Sequence, residues 1–392
     1  MKLVPGKTYS FNFPDEIKDL FDFDFDELLS LTTAIHESVH LEQDLYCGVG
    51  HIAYELQCII DKCSTSNSSK KKEEFACFLS IYEFWFFSQS GKEILDIISR
   101  TVDINSDPDY EWSLIKDSSG LDVLETHAAL LTYLDISRRL GQETHVQDFL
   151  YDIHIRNMQP TYRRLYDFIR KAIIGQQMDE YLRTHSNQEN IKIIELNLHV
   201  LACLILELSI HLPPVDTFAL DWCTSNKMKC LQFHPLFRVA AITGAFNIVM
   251  EQSGVETLNK ILHGGDVNFY QIISKIENLY GWIPYNSVTE SWLNHYDGCT
   301  DHIGIKKFRC EALARRFQNP NFISLMSRRL NFHQDQPIFI KTLEKPIVFT
   351  LNSYGYIFYR DVPKEHSQLW EALNEHLINQ QNFHSRLPNN RR

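Results

Sequence analysis

The sequence predicts a mainly α-helical protein with a small β-sheet, an α+β fold, and three observations carry that expectation. Apolar residues return at helical spacing through most of the 392 residues. Short runs of β-branched and aromatic residues that read as strands lie near the two ends of the chain. The composition, 44% hydrophobic and 22% charged, is that of a globular chain long enough to bury a substantial core.

The elements follow in order. Residues 2–13 alternate polar and apolar side chains, with Tyr9, Phe11 and Phe13 on one side, and predict a strand stopped by Pro14. A helix is expected from about Asp26, capped by Asp24 or Asp26, to just short of Gly48 and Gly50. Ile52 to Lys62 predicts a second helix, and the serine- and lysine-rich residues 64–72 a polar loop. Glu73 to Arg100 is aromatic-rich at helical spacing, which a core helix explains. Asp103 to Gly120 predicts a loop, and Leu121 to Leu140 a helix closed by Gly141. Further helices are expected at Val146 to Asn157, Thr161 to Arg183, Ile191 to Leu212, Pro235 to Leu262, Phe269 to Tyr280 and Ile305 to Arg329. Pro337 to Ile340, Ile347 to Leu351 and Tyr356 to Tyr359 predict strands, the last two joined through Asn352-Ser353-Tyr354-Gly355 as a hairpin. Lys364 to Leu377 predicts a final helix. The chain divides naturally into residues 1–190 and a helical region with the hairpin, 191–392, either as two domains or one.

Several function classes are disfavoured at this level. A net charge of −12 offers no basic footprint, so nucleic acid is not expected as a partner. Nine cysteines, an odd number without a C-x-x-C pair, argue against a disulfide framework and a cysteine zinc site. Ile191 to Leu212 is the most membrane-like stretch, but Lys192, Glu195, His199, Glu207 and His211 interrupt it, so a buried core helix is expected and no membrane partner. Met1 to Lys7 lacks the apolar run of a secretory signal, so a cytoplasmic location is expected.

Chemistry concentrates in the first predicted helix, at His36-Glu37-Ser38-Val39-His40. Histidines four apart lie about 40° from each other on a helix, so both imidazoles can meet one metal ion. Glu37 sits about 100° from His36, placed to take a proton from water rather than to be a ligand. Gln43 falls on the histidine face, while Leu31, Ile35 and Val39 form an apolar side to bury. This is the H-E-x-x-H arrangement of zinc hydrolases.

A catalytic zinc site needs a third protein ligand. Gln43 and Tyr46 occupy the positions of H-E-x-x-H-x-x-G-x-x-H that would need to match, so the metzincin arrangement is excluded. The best later candidate is the segment Glu125-Thr126-His127-Ala128. Glu125 shares its face with Asp122, Ala128, Ala129 and Thr132, small or polar side chains that let another helix come close. His127 shares its face with Leu124, Leu130, Leu131 and Leu134 and reads as a core histidine, the alternative ligand if Glu125 is not one.

His36 to Gln43 followed by Glu125 to Ala128 resembles the zincin metallopeptidases, of the gluzincin type in which a downstream helix donates a glutamate. It also resembles microbial H-E-x-x-H-x-x-Q proteins with a later Glu-x-x-Ala segment. The resemblance implies a zincin-like helical core, Zn²⁺ held by His36, His40 and Glu125, and hydrolysis of a peptide bond in a protein or peptide substrate with Glu37 as general base. A zincin sheet would have to be completed by the C-terminal hairpin, since only a short strand precedes the motif.

On this reading Asp122, another carboxylate or a backbone carbonyl orients a liganding imidazole with a contribution from Gln43, and Tyr354 or Tyr356 supplies a hydrogen bond to the oxyanion. Two other readings compete: a catalytically inactive helical interaction protein with a fortuitous motif, and a zinc hydrolase of a non-peptide substrate. The cluster Asn294 to His302 is expected to be a loop with Asx turns rather than a second metal site, and His199 and His211 to be core or helix-end residues.

Overall fold

The structure, a computed structural model, describes residues 8–11, 25–55, 115–139, 155, 160–185, 188–214, 234–253, 274–278, 281–297, 305–318, 324–326, 347–351 and 357–359. These are mostly helical. Seven long helices are α1 (Phe25–Tyr46), α2 (Gly120–Arg139), α3 (Pro160–His185), α4 (Gln188–Ile210), α5 (Pro235–Ser253), α6 (Tyr285–Asp297) and α7 (Ile305–Gln318). Residues 48–55 are helical again after a single break at Cys47. The backbone also pairs three short segments antiparallel in the order β1 (Thr8–Phe11), β2 (Ile347–Leu351), β3 (Ile357–Tyr359), with Thr8 opposite Thr350 and Phe349 opposite Tyr359.

The chain divides into two compact units. The first comprises Met1–Tyr82, Asp135–Glu143 and Thr289–Arg392; the second comprises Glu83–Leu134 and Thr144–Val288.

In the first unit α1 packs against α7. Ile35 and Val39 are buried, as the apolar side of the motif helix predicts, while the side chain of Leu31 lies outside the described residues. The end of α1 is closed in an unusual way. Helix C-termini leave carbonyls without intrahelical partners, and three successive ones are taken here by side chains: Asp44 O accepts from Arg309 Nη1 (2.7 Å), Leu45 O from His51 Nε2 (2.9 Å), and Tyr46 O from Arg316 Nη1. Arg309 also pairs with the Asp44 carboxylate at 2.5 Å and lies over the Tyr54 ring. Gly50 is required at the break, because a Cβ there would stand 2.2 Å from the Asp44 carbonyl oxygen.

In the second unit α3, α4 and α5 pack against one another. Residues 201–212 of α4 and its end are buried on every side, which fits a core helix. Among the described residues, no helix is long and apolar enough to cross a membrane. α2 begins with a capping box: Ser119 Oγ accepts from Asp122 N (3.3 Å), and the Asp122 carboxylate accepts from Ser119 N (2.6 Å). Arg238 of α5 is buried, stacks over Trp282 at 4.0 Å and donates to Leu208 O.

The boundaries of α2, α3 and α4 fall within a few residues of those expected from periodicity. One expectation is corrected. The segment beginning at Asn294 is not a loop up to Asp297, because α6 runs through it on the buried residues Tyr285, Val288, Trp292 and Tyr296. Those four recur at helical spacing, and the Asn- and Asp-rich end obscured them. The α1 cap is also narrowed: the helix starts at Phe25, so Asp26 is inside its first turn. The expected loop at 64–72, the aromatic helix at 73–100, the strand at 337–340, the final helix at 364–377, and Asp24, Cys299, Asp301 and His302 lie outside the described residues.

Candidate metal centre

The motif helix places its histidines as the spacing predicts. His36 and His40 are half-buried, with Nε2 atoms 3.1 Å apart and rings meeting edge to face. Glu37 is half-buried on the adjoining face of α1. Gln43 is buried, and its Oε1 lies 2.9 Å from His40 Nδ1.

Glu125 projects from α2 and is half-buried. The small and polar residues on its side of the helix, Ala128, Ala129 and Thr132, are buried. Just beyond Glu125, Thr126 Oγ1 donates to Asp122 O (2.6 Å) and reaches the backbone carbonyl of Tyr162 (3.4 Å). Tyr162, in the first turn of α3, is therefore tied alongside the turn that carries Glu125. Burial, then the charges of Glu125 and Asp122, push the Tyr162 phenol well above its usual pKa. It stays a neutral hydrogen-bond donor at neutral pH.

His36, His40 and Glu125 are a group that could hold a metal ion. His127 is not among them. It is fully buried with Leu130, Leu131 and Leu134, and its Nε2 lies 3.9 Å from Glu207 Oε2. Glu207 in turn accepts from the Tyr285 hydroxyl at 2.6 Å, and His211 packs edge-on against the Tyr285 ring. His211 is thus a core residue.

His199 is also in the core. Its Nδ1 donates to Glu195 O, its Nε2 accepts from Tyr166 (3.3 Å), and burial holds its pKa down to about 4. His295 lies in α6, and its Nε2 pairs with Glu55 at 2.8 Å.

One helper role read from sequence is revised, and a second is not reached by the described residues. Asp122 uses its carboxylate in the α2 capping box rather than on an imidazole. Tyr354 and Tyr356 lie outside the described residues. Tyr162 was not singled out by sequence, and its only local signal is an aromatic residue at a helix start after Pro160.

The donor chemistry suits zinc. Two imidazole nitrogens and one carboxylate make a His₂Glu set, which leaves a fourth position for water. Ligands about 2.0–2.1 Å from a tetrahedral ion stand roughly 3.3 Å apart, close to the 3.1 Å between the two Nε2 atoms. No family model, no curated protein and no solved structure matches the chain.

Proposed function

We propose that the protein is a zinc-dependent metallopeptidase, with zinc held by His36, His40 and Glu125 and a peptide bond of a protein or peptide as substrate. What supports this reading is the pair His36 and His40, fixed by one turn of α1, which with Glu125 of α2 makes a group that could hold a metal ion. A zincin-like α+β architecture, with the paired strands as its small sheet and α1 and α2 as its ligand helices, is part of the same proposal.

Bound zinc supplies a Lewis acid and a water acidified to near neutrality. The chain's residues do the rest. Glu37, next to His36 but turned off the ligand face, accepts the proton of the attacking water and returns it to the leaving amine. Tyr162, neutral and beside the Glu125 turn, donates a hydrogen bond to the oxygen that gains charge as the carbonyl is attacked.

Substitution of Glu37 by Gln tests the reading, because it removes the base and keeps the size. The variant should hold as much zinc as the wild type and lose at least about a hundredfold in cleavage of labelled casein. Equal cleavage by the two proteins would exclude Glu37 as the base.

A further inference from the structure

We propose that Gln43 is the positioning residue of this centre: its amide oxygen fixes His40 in the tautomer that turns the Nε2 lone pair toward His36. The inference rests on the metal reading above and adds to it a residue that is not itself a ligand.

Gln43 stands three residues after His40 on α1, where side chains share a face. It is 2% exposed, and its Oε1 is 2.9 Å from His40 Nδ1. An amide oxygen only accepts, so Nδ1 carries the hydrogen. In a neutral ring the other nitrogen is then a bare lone pair, and that nitrogen is Nε2, 3.1 Å from His36 Nε2. Two lone pairs at this distance repel. Without a cation, His36 Nε2 must therefore donate a hydrogen to His40 Nε2; with one, both nitrogens can face the ion.

The choice of glutamine has a consequence of its own. Metal-bound histidines commonly donate their second N–H to a carboxylate, which raises ligand basicity as well as orienting the ring. An amide orients without adding charge. The charge of the centre is then left to Glu125, while the buried position of Gln43 holds the acceptor in place before any metal arrives.

The experiment compares Zn²⁺ affinity, by competition with a chromophoric chelator, in wild type, Gln43→Leu and Gln43→Glu. Leucine removes the acceptor, and glutamate restores one at the same reach. The leucine variant should bind zinc about 10- to 100-fold more weakly than wild type, and the glutamate variant at least about tenfold more tightly than the leucine variant. Equal affinities for the two variants would overturn the assignment.

A second measurement is independent of folding in the variants. ¹⁵N NMR of metal-free wild type should show His40 as the Nδ1–H tautomer, and an Nε2–H tautomer would overturn the proposal. If wild type binds no zinc, the metal reading fails, while the tautomer measurement still decides the role of Gln43.

Discussion

At the scale of single residues, the proposed centre depends on groups whose hydrogens are placed by what they touch. His40 is set by Gln43, and Tyr162 is kept as a phenol by burial and by the carboxylates of Glu125 and Asp122. If Tyr162 meets the developing oxyanion, Tyr162→Phe should lower kcat for casein about 100- to 1,000-fold, with KM and zinc content within about twofold of wild type. An unchanged kcat would remove it from the mechanism. The histidine pair was legible in the sequence because a helix converts i, i+4 into a shared face. Glu125 is a candidate legible in the sequence because its neighbours at i+3, i+4 and i+7 are Ala128, Ala129 and Thr132. Tyr162 was not, because its tie to the Glu125 turn spans 36 residues and runs through a backbone carbonyl that leaves no mark on composition.

At the scale of elements, α1 is anchored at its end rather than along its length alone. Arg309, His51 and Arg316 take three successive carbonyls. Cations at a helix C-terminus also complement its dipole. Arg309 is 4% exposed; burial lowers its pKa, and the charge and hydrogen bond of Asp44 with Tyr296 and Tyr54 together more than offset it. Arg309→Met keeps most of the side-chain volume but leaves the Asp44 carboxylate and carbonyl without this partner. It should destabilise the fold by about 3 kcal/mol in urea titrations. A loss below about 1 kcal/mol would mean that water replaces the guanidinium at little cost. This anchor was illegible from sequence, since Asp44 and Arg309 are 265 residues apart and an arginine in α7 reads as an ordinary surface charge. The opposite case is α6, whose apolar repeat Tyr285, Val288, Trp292 and Tyr296 was present but ended in residues typical of turns.

At the scale of the whole chain, each unit carries a buried neutral histidine, His51 in the first and His199 in the second. Burial is the main cause in both, and the guanidinium of Arg309 adds to it at His51. Their folded-state pKa values lie below the usual 6.5, so the unfolded chain binds more protons as pH falls, and stability must drop through that window. For His199, from 6.5 to about 4, the loss reaches about 3 kcal/mol by pH 4. Urea titrations at pH 7 and pH 4 should therefore show wild type losing about that much more than His199→Gln. Equal losses would contradict the buried neutral assignment.

Zinc content reads out the proposed binding of one zinc ion by His36, His40 and Glu125. Wild type purified, stripped with chelator and reloaded should hold about one zinc ion per chain, with His36→Ala and Glu125→Ala each falling well below that while remaining folded. Zinc absent from wild type, or retained in full by both variants, would exclude these residues as its ligands.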